Sequence, residues 1–184
     1  MFFQRTLKKE ISCVGIGLHS GAKVKLVLKP APTGHGIKLQ RVENEQVLAT
    51  IPALSEYVVD TSLATTLGRD GQIIGTVEHL LSAFSGLGVD NVLVEVHGPE
   101  VPIMDGSASP FVYLIKTAGV KRQVEAKSYM RMLGNVTVAD GDKWARLGPQ
   151  PPSSDASLSI ISHIDFDHPV IGLQSYSFSF SDIS

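Results

Sequence analysis

Residues 76–96 read TVEHLLSAFSGLGVDNVLVEV, and the apolar pattern changes within this segment from a helical repeat to a strand. The apolar side chains of its first half recur at helical spacing, at Val77, Leu80, Leu81, Phe84 and Leu87. This spacing predicts an amphipathic helix with one face toward a core. The nearly continuous apolar run in 91–96 predicts a strand directly after it.

Apolar patterns and capping residues predict further helices and strands on both sides of this segment. A second helix is predicted from Ser109, with Pro110 in its first turn and Gly119 at its end. Gly75 or Thr76 can cap the start of the first helix. Alternating or apolar runs predict further strands at Lys23–Lys29, Ile37–Arg41, Leu63–Leu67, Asn135–Ala139, Trp144–Leu147, Leu158–Phe166 and Tyr176–Phe180.

These elements predict an α+β fold with two domains. Residues 1–125 contain strands and both helices, which favours a two-layer β/α sandwich. Residues 126–184 contain strands only, separated by the loop 148–155, and look like the incomplete start of a second, similar domain. The polar stretch 121–127 is the expected boundary. A sheet with an uncovered apolar face is not a stable endpoint, so we expect further polypeptide beyond Ser184.

Composition excludes several classes of protein. The chain has 184 residues, 16 basic and 18 acidic, and no long basic run, which argues against a nucleic-acid partner. Its one cysteine, Cys13, excludes a disulfide framework and a cysteine-rich zinc site, and fits a reducing compartment. No stretch approaches the roughly 20 apolar residues of a membrane helix. We therefore expect a soluble, cytoplasmic protein without a transmembrane segment.

Glu78 and His79, in the first turn of the first predicted helix, are the strongest candidates for chemistry. The positive helix terminus disfavours protonation of His79, and a neutral imidazole can bind a metal. The same field keeps Glu78 ionised and able to accept a proton from water. The alternative is structural: Glu78 complements the helix dipole and His79 is a boundary residue.

Three other segments carry candidate residues, each with a simpler alternative. The glycine-rich loop 15–21 contains His19 and could approach a ligand closely, or be a plain turn. Asp105 could orient a histidine or a substrate hydroxyl, or only shape its turn. His163 and His168 lie near two aspartates, but a strand places His168 on the opposite face, so a strand end is favoured over a metal site.

Taken together, several motifs resemble the UDP-3-O-acyl-N-acetylglucosamine deacetylases, the zinc amidases that commit bacteria to lipid A synthesis. The resemblance extends through the whole chain in order and spacing. It rests on Gln4–Leu7, Gly15–Gly21, Asp60–Leu63, Thr76–Leu80, Gly88–Asn91, Pro102–Ala108, Asp140–Trp144 and Ile164–Pro169.

The resemblance implies a fold, a reaction and a set of site residues. It implies a two-domain α+β sandwich that hydrolyses the acetamido group of a UDP-sugar lipid precursor, and a monomer when complete. His79 would be one of three protein ligands to a single Zn²⁺, and Glu78 the general base. Asp105 would support the catalytic centre. Leu18 and His19 would line the substrate site, with Thr61, Ser62 and Leu63 beside them.

One departure from the family pattern is large. The family's second half carries a His-Lys-x-x-Asp motif with the remaining zinc ligands, and this sequence does not contain it. We therefore expect the 184-residue chain to be an inactive N-terminal portion of such a deacetylase. Two alternatives remain: a catalytically dead nucleotide-sugar-binding or regulatory protein, and a β-rich interaction protein with incidental motifs.

Overall fold

The computed structural model describes residues 3–150 and 156–181. Two units can be distinguished, Met1–Ser128 and Tyr129–Ser184, and each is described by itself below. The loop predicted at 148–155 lies partly outside the described residues.

In its described residues, the first unit contains ten strands, two α-helices and a short 3-10 helix at Ser55–Tyr57. The strands are β1 (Phe3–Leu7), β2 (Ile11–Ile16), β3 (Lys23–Pro30), β4 (Ile37–Glu43), β5 (Gln46–Pro52), β6 (Val58–Asp60), β7 (Thr66–Arg69), β8 (Gln72–Ile74), β9 (Val92–His97) and β10 (Val120–Ala126). The helices are α1 (Glu78–Gly86) and α2 (Ser109–Ala118).

Three sheets organise these strands. The largest has five strands in the order β2-β3-β9-β4-β5, with β4 and β9 parallel and the other pairs antiparallel. Strands β6, β7 and β8 form a small antiparallel sheet, and β1 pairs with β10. Strands β3 and β9 lie far apart in the sequence but pair directly, as in the pair formed by Leu26 and Val96.

The core combines one face of the large sheet with the apolar faces of α1 and α2. Leu80 and Phe84 of α1 and Phe111 and Ile115 of α2 are fully buried. They belong to the same cluster as sheet residues such as Leu26. Burying one such side chain contributes about 1.5–3 kcal/mol. This layer of helices on a mixed sheet confirms the α+β prediction.

Local details differ from the sequence predictions at the start of β7 and in the cap of α1. The strand expected at Leu63–Leu67 begins only at Thr66, and residues 62–64 form an exposed or half-exposed bend. The N-cap of α1 is Val77, whose side chain has no oxygen, so neither Gly75 nor Thr76 caps the helix. The Thr76 hydroxyl instead donates to Glu100. The stretch 121–127 mostly forms strand β10, which pairs with β1.

The second unit contains two antiparallel hairpins in the described residues. Strand β11 (Val136–Asp140) pairs with β12 (Lys143–Leu147), and β13 (Ala156–Phe166) pairs with β14 (Gly172–Ser181). Many of its apolar side chains are exposed, including Trp144, which is 64% exposed.

Helices α1 and α2 have 9 and 10 residues, about half of what a membrane crossing needs. The described part of the chain offers no other candidate for such a helix.

Candidate functional site

A cleft of about 400 Å³ opens on the first unit where several loops converge. The loop after β2, the bend before β7 and the turn before α1 form its walls, together with the segment after β9. The lining side chains are His19, Ser20, Asp60, Ser62, Leu63, Ala64, Thr66, Ile73, Thr76, Pro99 and Glu100. The lining mixes hydroxyl, carboxylate and imidazole groups with apolar ones, which suits a ligand with polar and apolar parts.

Helix α1 presents Glu78 next to this cleft. The backbone N–H of Thr65 donates to Oε2 of Glu78 at 3.0 Å, and the N–H of Val77 donates to the Thr65 carbonyl at 3.2 Å. Thr65 lies between the lining residues Ala64 and Thr66. The hydrogen bond therefore holds the carboxylate next to the cleft lining.

His79 follows Glu78 and is half-buried. Its backbone carbonyl accepts a hydrogen bond from Ser82. Within the described residues, no hydrogen bond or ion pair involves its imidazole. The ring nitrogens are therefore available to a ligand. The ring is neither fully exposed nor part of the buried core cluster.

Asp105 lies in the loop before α2 and is electrostatically coupled to His79. Its Oδ1 accepts hydrogen bonds from the hydroxyl and the N–H of Ser107, at 2.8 and 2.9 Å. These bonds lower the pKa of Asp105, and His79 makes a smaller contribution in the same direction. The residue therefore shapes its turn and also lies within electrostatic reach of the candidate imidazole.

The Asp105 loop packs against the end of β2, which leads into the His19 loop. The N–H of Ile103 donates to the carbonyl of Ile16 at 3.0 Å. A Cβ on Gly15 would approach Cβ of Pro102 to 2.8 Å, so the glycine permits this close contact. The two segments are thus held side by side, although they are far apart in sequence.

A similar acidic turn contributes Asp60 and Ser62 to the lining of the cleft. The hydroxyl and N–H of Ser62 donate to Oδ1 of Asp60, at 2.7 and 3.1 Å. These bonds lower the pKa of Asp60 below its usual value. The exposed bend thereby acquires a defined conformation.

The structure separates the candidate residues into two neighbouring groups. His19, Ser62 and Leu63 line the cleft, and Leu63 is 84% exposed. Leu18 and Thr61 are exposed beside these residues but do not line the cleft. The second group consists of Glu78, His79 and Asp105, next to the cleft rather than in its lining.

Glu100 is a buried acidic residue of the cleft lining that the sequence analysis did not single out. It is 3% exposed and accepts hydrogen bonds from His19, Ser20 and Thr76. The signal in the sequence is a glutamate directly before the apolar residues Val101 and Pro102. A glutamate that such neighbours draw into the interior needs hydrogen-bond partners for its carboxylate.

The residues of this chain fit a zinc ion only in part. His79 suits one ligand position because its ring makes no internal hydrogen bond. Zinc in a catalytic site takes three protein ligands, and the described residues contain no cluster of three or more histidine, cysteine, aspartate or glutamate side chains arranged for a metal. His163 instead contacts Ser175, at 2.7 Å, and the ring of His168 accepts from the N–H of Val170.

A larger cleft of about 640 Å³ lies elsewhere on the first unit, between the C-terminal end of α1 and the start of β4. It is lined in part by His35, Lys38, Asp90 and Lys127, and the last two form an ion pair of 3.0 Å. It contains none of the candidate site residues.

Comparison with known proteins gives a consistent result. The family model described as LpxC: UDP-3-O-acyl N-acetylglycosamine deacetylase matches residues 4–184. A UDP-3-O-acyl-N-acetylglucosamine deacetylase of Myxococcus xanthus is 55% identical over 179 residues, which cover 97% of this chain and 55% of that protein. Proteins with the same name from Syntrophus aciditrophicus and Methylococcus capsulatus are 47% and 49% identical, and the matches cover 99% and 100% of this chain.

The chain spans little more than half the length of these relatives, 55%, 56% and 59% respectively. The match nevertheless includes both units and every candidate residue named above. This chain belongs to the LpxC family of UDP-3-O-acyl N-acetylglycosamine deacetylases.

Proposed function

We propose that the protein takes part in zinc-dependent hydrolysis of the acetamido group of UDP-3-O-acyl-N-acetylglucosamine, the committed step of lipid A biosynthesis. Family membership and the printed names of the relatives support this reaction. The observation that carries the proposal is the hydrogen bond from Thr65 to Glu78, because it holds a carboxylate next to a ligand-sized cleft.

In this proposal Glu78 is the general base. Its Oε2 is held by the Thr65 amide, which leaves Oε1 to accept a proton from the attacking water. Water adds to the amide carbonyl as its proton passes to Oε1 of Glu78. The C–N bond then breaks, that proton goes to the departing nitrogen, and the products are acetate and a sugar amine. Bound zinc would supply Lewis-acid polarisation of that carbonyl.

The remaining candidate residues bind the metal or the substrate, or support a residue that does. His79 offers its unbonded imidazole as one metal ligand, and Asp105 supports it electrostatically. The cleft residues His19 and Ser62 supply polar contacts to the substrate, and Leu63 an apolar one. Further zinc ligands would lie outside this 184-residue sequence, so we expect the chain by itself to be inactive. The lone Cys13 fits a reaction in the cytoplasm.

A chimera tests the proposal directly. Residues of this chain replace the matching 179-residue region of the Myxococcus xanthus protein, to which they are 55% identical. We expect the chimera to release acetate from UDP-3-O-acyl-N-acetylglucosamine and to lose this activity on metal chelation. The isolated 184-residue chain, assayed in parallel, should show no turnover.

Each other outcome has a defined meaning. A folded chimera that binds the UDP-sugar without hydrolysing it would contradict the proposal and favour a nucleotide-sugar-binding or regulatory role. A folded chimera that neither binds nor hydrolyses it would favour an interaction protein. Turnover by the isolated chain would show that the expected inactivity is wrong.

A further inference from the structure

Glu100 is the one buried charged residue among those whose burial the structure describes. It is 3% exposed, and within the described residues no lysine, arginine or histidine side chain forms an ion pair with it. Removing a carboxylate from water is costly unless hydrogen bonds replace the lost hydration. The residue therefore needs a reason for being buried.

Four groups replace this hydration. Oε1 accepts from the Ser20 hydroxyl at 2.6 Å, from the Ser20 N–H at 2.7 Å and from the His19 N–H at 3.1 Å. Oε2 accepts from the Thr76 hydroxyl at 2.9 Å. Hydrogen bonds to an ionised acceptor are shorter and stronger than neutral ones. Burial alone would raise the pKa of Glu100, but the bonds from Ser20, Thr76 and His19 lower it overall.

The two oxygens of Glu100 thus contact two different segments of the site. Oε1 binds the His19 loop through His19 and Ser20. Oε2 binds Thr76 in the turn into α1, three residues before His79, and makes a longer contact of 3.4 Å with the His19 N–H. The Glu100 segment is itself bonded to this turn, because the N–H of Gly75 donates to the Pro99 carbonyl and the N–H of Val101 donates to the Gly75 carbonyl, at 3.0 and 2.9 Å.

The turn into α1 has an unusual conformation that needs such support. Thr76 has a φ of 56°, in the left-handed region, which a β-branched residue rarely occupies. Strain of this kind persists only where surrounding contacts maintain it. The hydroxyl of Thr76 is buried against Glu100, and the next residues along the chain are Val77, Glu78 and His79.

The His19 loop is shaped around the same carboxylate. A Cβ on Gly17 would overlap with Oε1 of Glu100 and with the Ser20 hydroxyl. The loop is closed by a hydrogen bond from the Gly21 N–H to the Gly17 carbonyl, at 3.1 Å. The glycine therefore gives the loop backbone room to surround the carboxylate.

We propose that Glu100 is a positioning residue that fixes the His19 loop relative to the first turn of α1. It holds the backbone of the His19 loop in place relative to the first turn of α1, which carries Glu78 and His79. The catalytic consequence rests on the proposed function, whereas the anchoring is a property of the 184-residue chain.

Amide hydrogen exchange on the 184-residue chain tests the anchoring. In Glu100→Gln we expect the His19 and Ser20 amides to exchange about tenfold to a hundredfold faster, because charge-assisted hydrogen bonds are weakened. Core amides such as that of Val94 should keep their rates. The control is Glu95→Gln, which removes a hydrogen-bonded carboxylate that pairs with Lys29 rather than with the site. It should leave both loop amides unchanged.

Two results would overturn the inference. One is unchanged exchange at His19 and Ser20 in Glu100→Gln. The other is equal acceleration at all amides, which would make Glu100 a general stability residue. If the variant does not fold, the native chain decides: the Ser20 amide proton and the Glu100 carboxyl carbon should shift together in an acid titration. Independent behaviour of the two signals contradicts the proposal.

The chimera adds the functional consequence. There Glu100→Gln should lower kcat by up to about a hundredfold, with a smaller change in KM, because misplaced groups act mainly on the transition state. A kcat equal to that of the unsubstituted chimera would contradict the positioning role. An inactive parent chimera would contradict the proposed function and leave the exchange result on Glu100 intact.

Discussion

The amide nitrogen of Thr65 lies 3.0 Å from Oε2 of Glu78, across thirteen positions of sequence. This bond joins the exposed bend before β7 to the first residue of α1. It restricts the carboxylate to one orientation and leaves its second oxygen for a proton. The exposed bend thus contributes directly to the geometry of the candidate base.

Replacement of Glu78 should separate catalysis from folding. In the active chimera, Glu78→Gln should lower kcat about 10²–10⁴-fold, because the amide cannot accept a proton from water. The melting temperature should stay nearly constant, since the glutamine carbonyl still accepts from Thr65. Steady-state kinetics and thermal unfolding measure the two effects. Glu125→Gln, at an exposed position in β10, is the matched control, and an active Glu78→Gln would exclude Glu78 as the base.

Gly17→Ala should destabilise the first unit by about 1–3 kcal/mol, because its Cβ would overlap with Glu100 and Ser20. Gly86→Ala is the control: no atom lies near its Cβ, it lies in α1, and alanine favours a helix there. Urea unfolding of both variants gives the comparison. Equal stabilities would show that the loop can move away from the carboxylate without cost.

Two leucines should respond in opposite ways. Leu80→Ala should lower the free energy of unfolding by about 2–5 kcal/mol, since Leu80 is fully buried in the core. Leu63→Ala should change stability by no more than about 0.5 kcal/mol, since Leu63 is 84% exposed. In the chimera, Leu63→Ala should raise KM because this side chain lines the cleft. An unchanged KM would remove Leu63 from the substrate site.

Stability should fall in acid partly through Glu100. Its pKa is lower in the folded protein than in the unfolded chain, so the unfolded state binds the proton first as the pH falls. The stabilisation is complete above the ordinary glutamate pKa and is lost as the pH falls through the folded one. Glu100→Gln should therefore show a shallower loss of unfolding free energy below about pH 4.5. If the unfolding free energies of Glu100→Gln and of the unsubstituted chain fall equally with pH, this linkage is contradicted.

Zinc should bind the 184-residue chain weakly. His79 offers one imidazole, whereas a catalytic zinc site takes three protein ligands. After dialysis against excess zinc, elemental analysis should find clearly less than one ion per chain, and His79→Ala should lower this further. His35→Ala, at a histidine in the other cleft, is the control. Stoichiometric retention of zinc by the unsubstituted chain would show a complete site within these residues.

The sequence alone determined the elements whose signals are local. In α1, α2 and β3 the apolar residues recur at the spacing at which each element contacts the core. The sequence pattern therefore predicts these elements directly. The helix start and the turn before the second helix were sufficient to single out Glu78, His79 and Asp105 as candidates, and the order of the motifs was sufficient to identify the family. None of these inferences required knowledge of which distant residues meet.

Only the tertiary structure decided how the site is held together. Glu100 contacts His19 and Ser20 across 81 and 80 positions of sequence, and no local pattern encodes a hydrogen bond between such distant segments. Residues 63 and 64 of the bend were expected to begin a strand, Leu63–Leu67, because the apolar residues of this segment are typical of one. Its conformation depends instead on Asp60 and on the bond from Thr65 to α1. Periodicity reports burial along one element, whereas a site depends on contacts between elements.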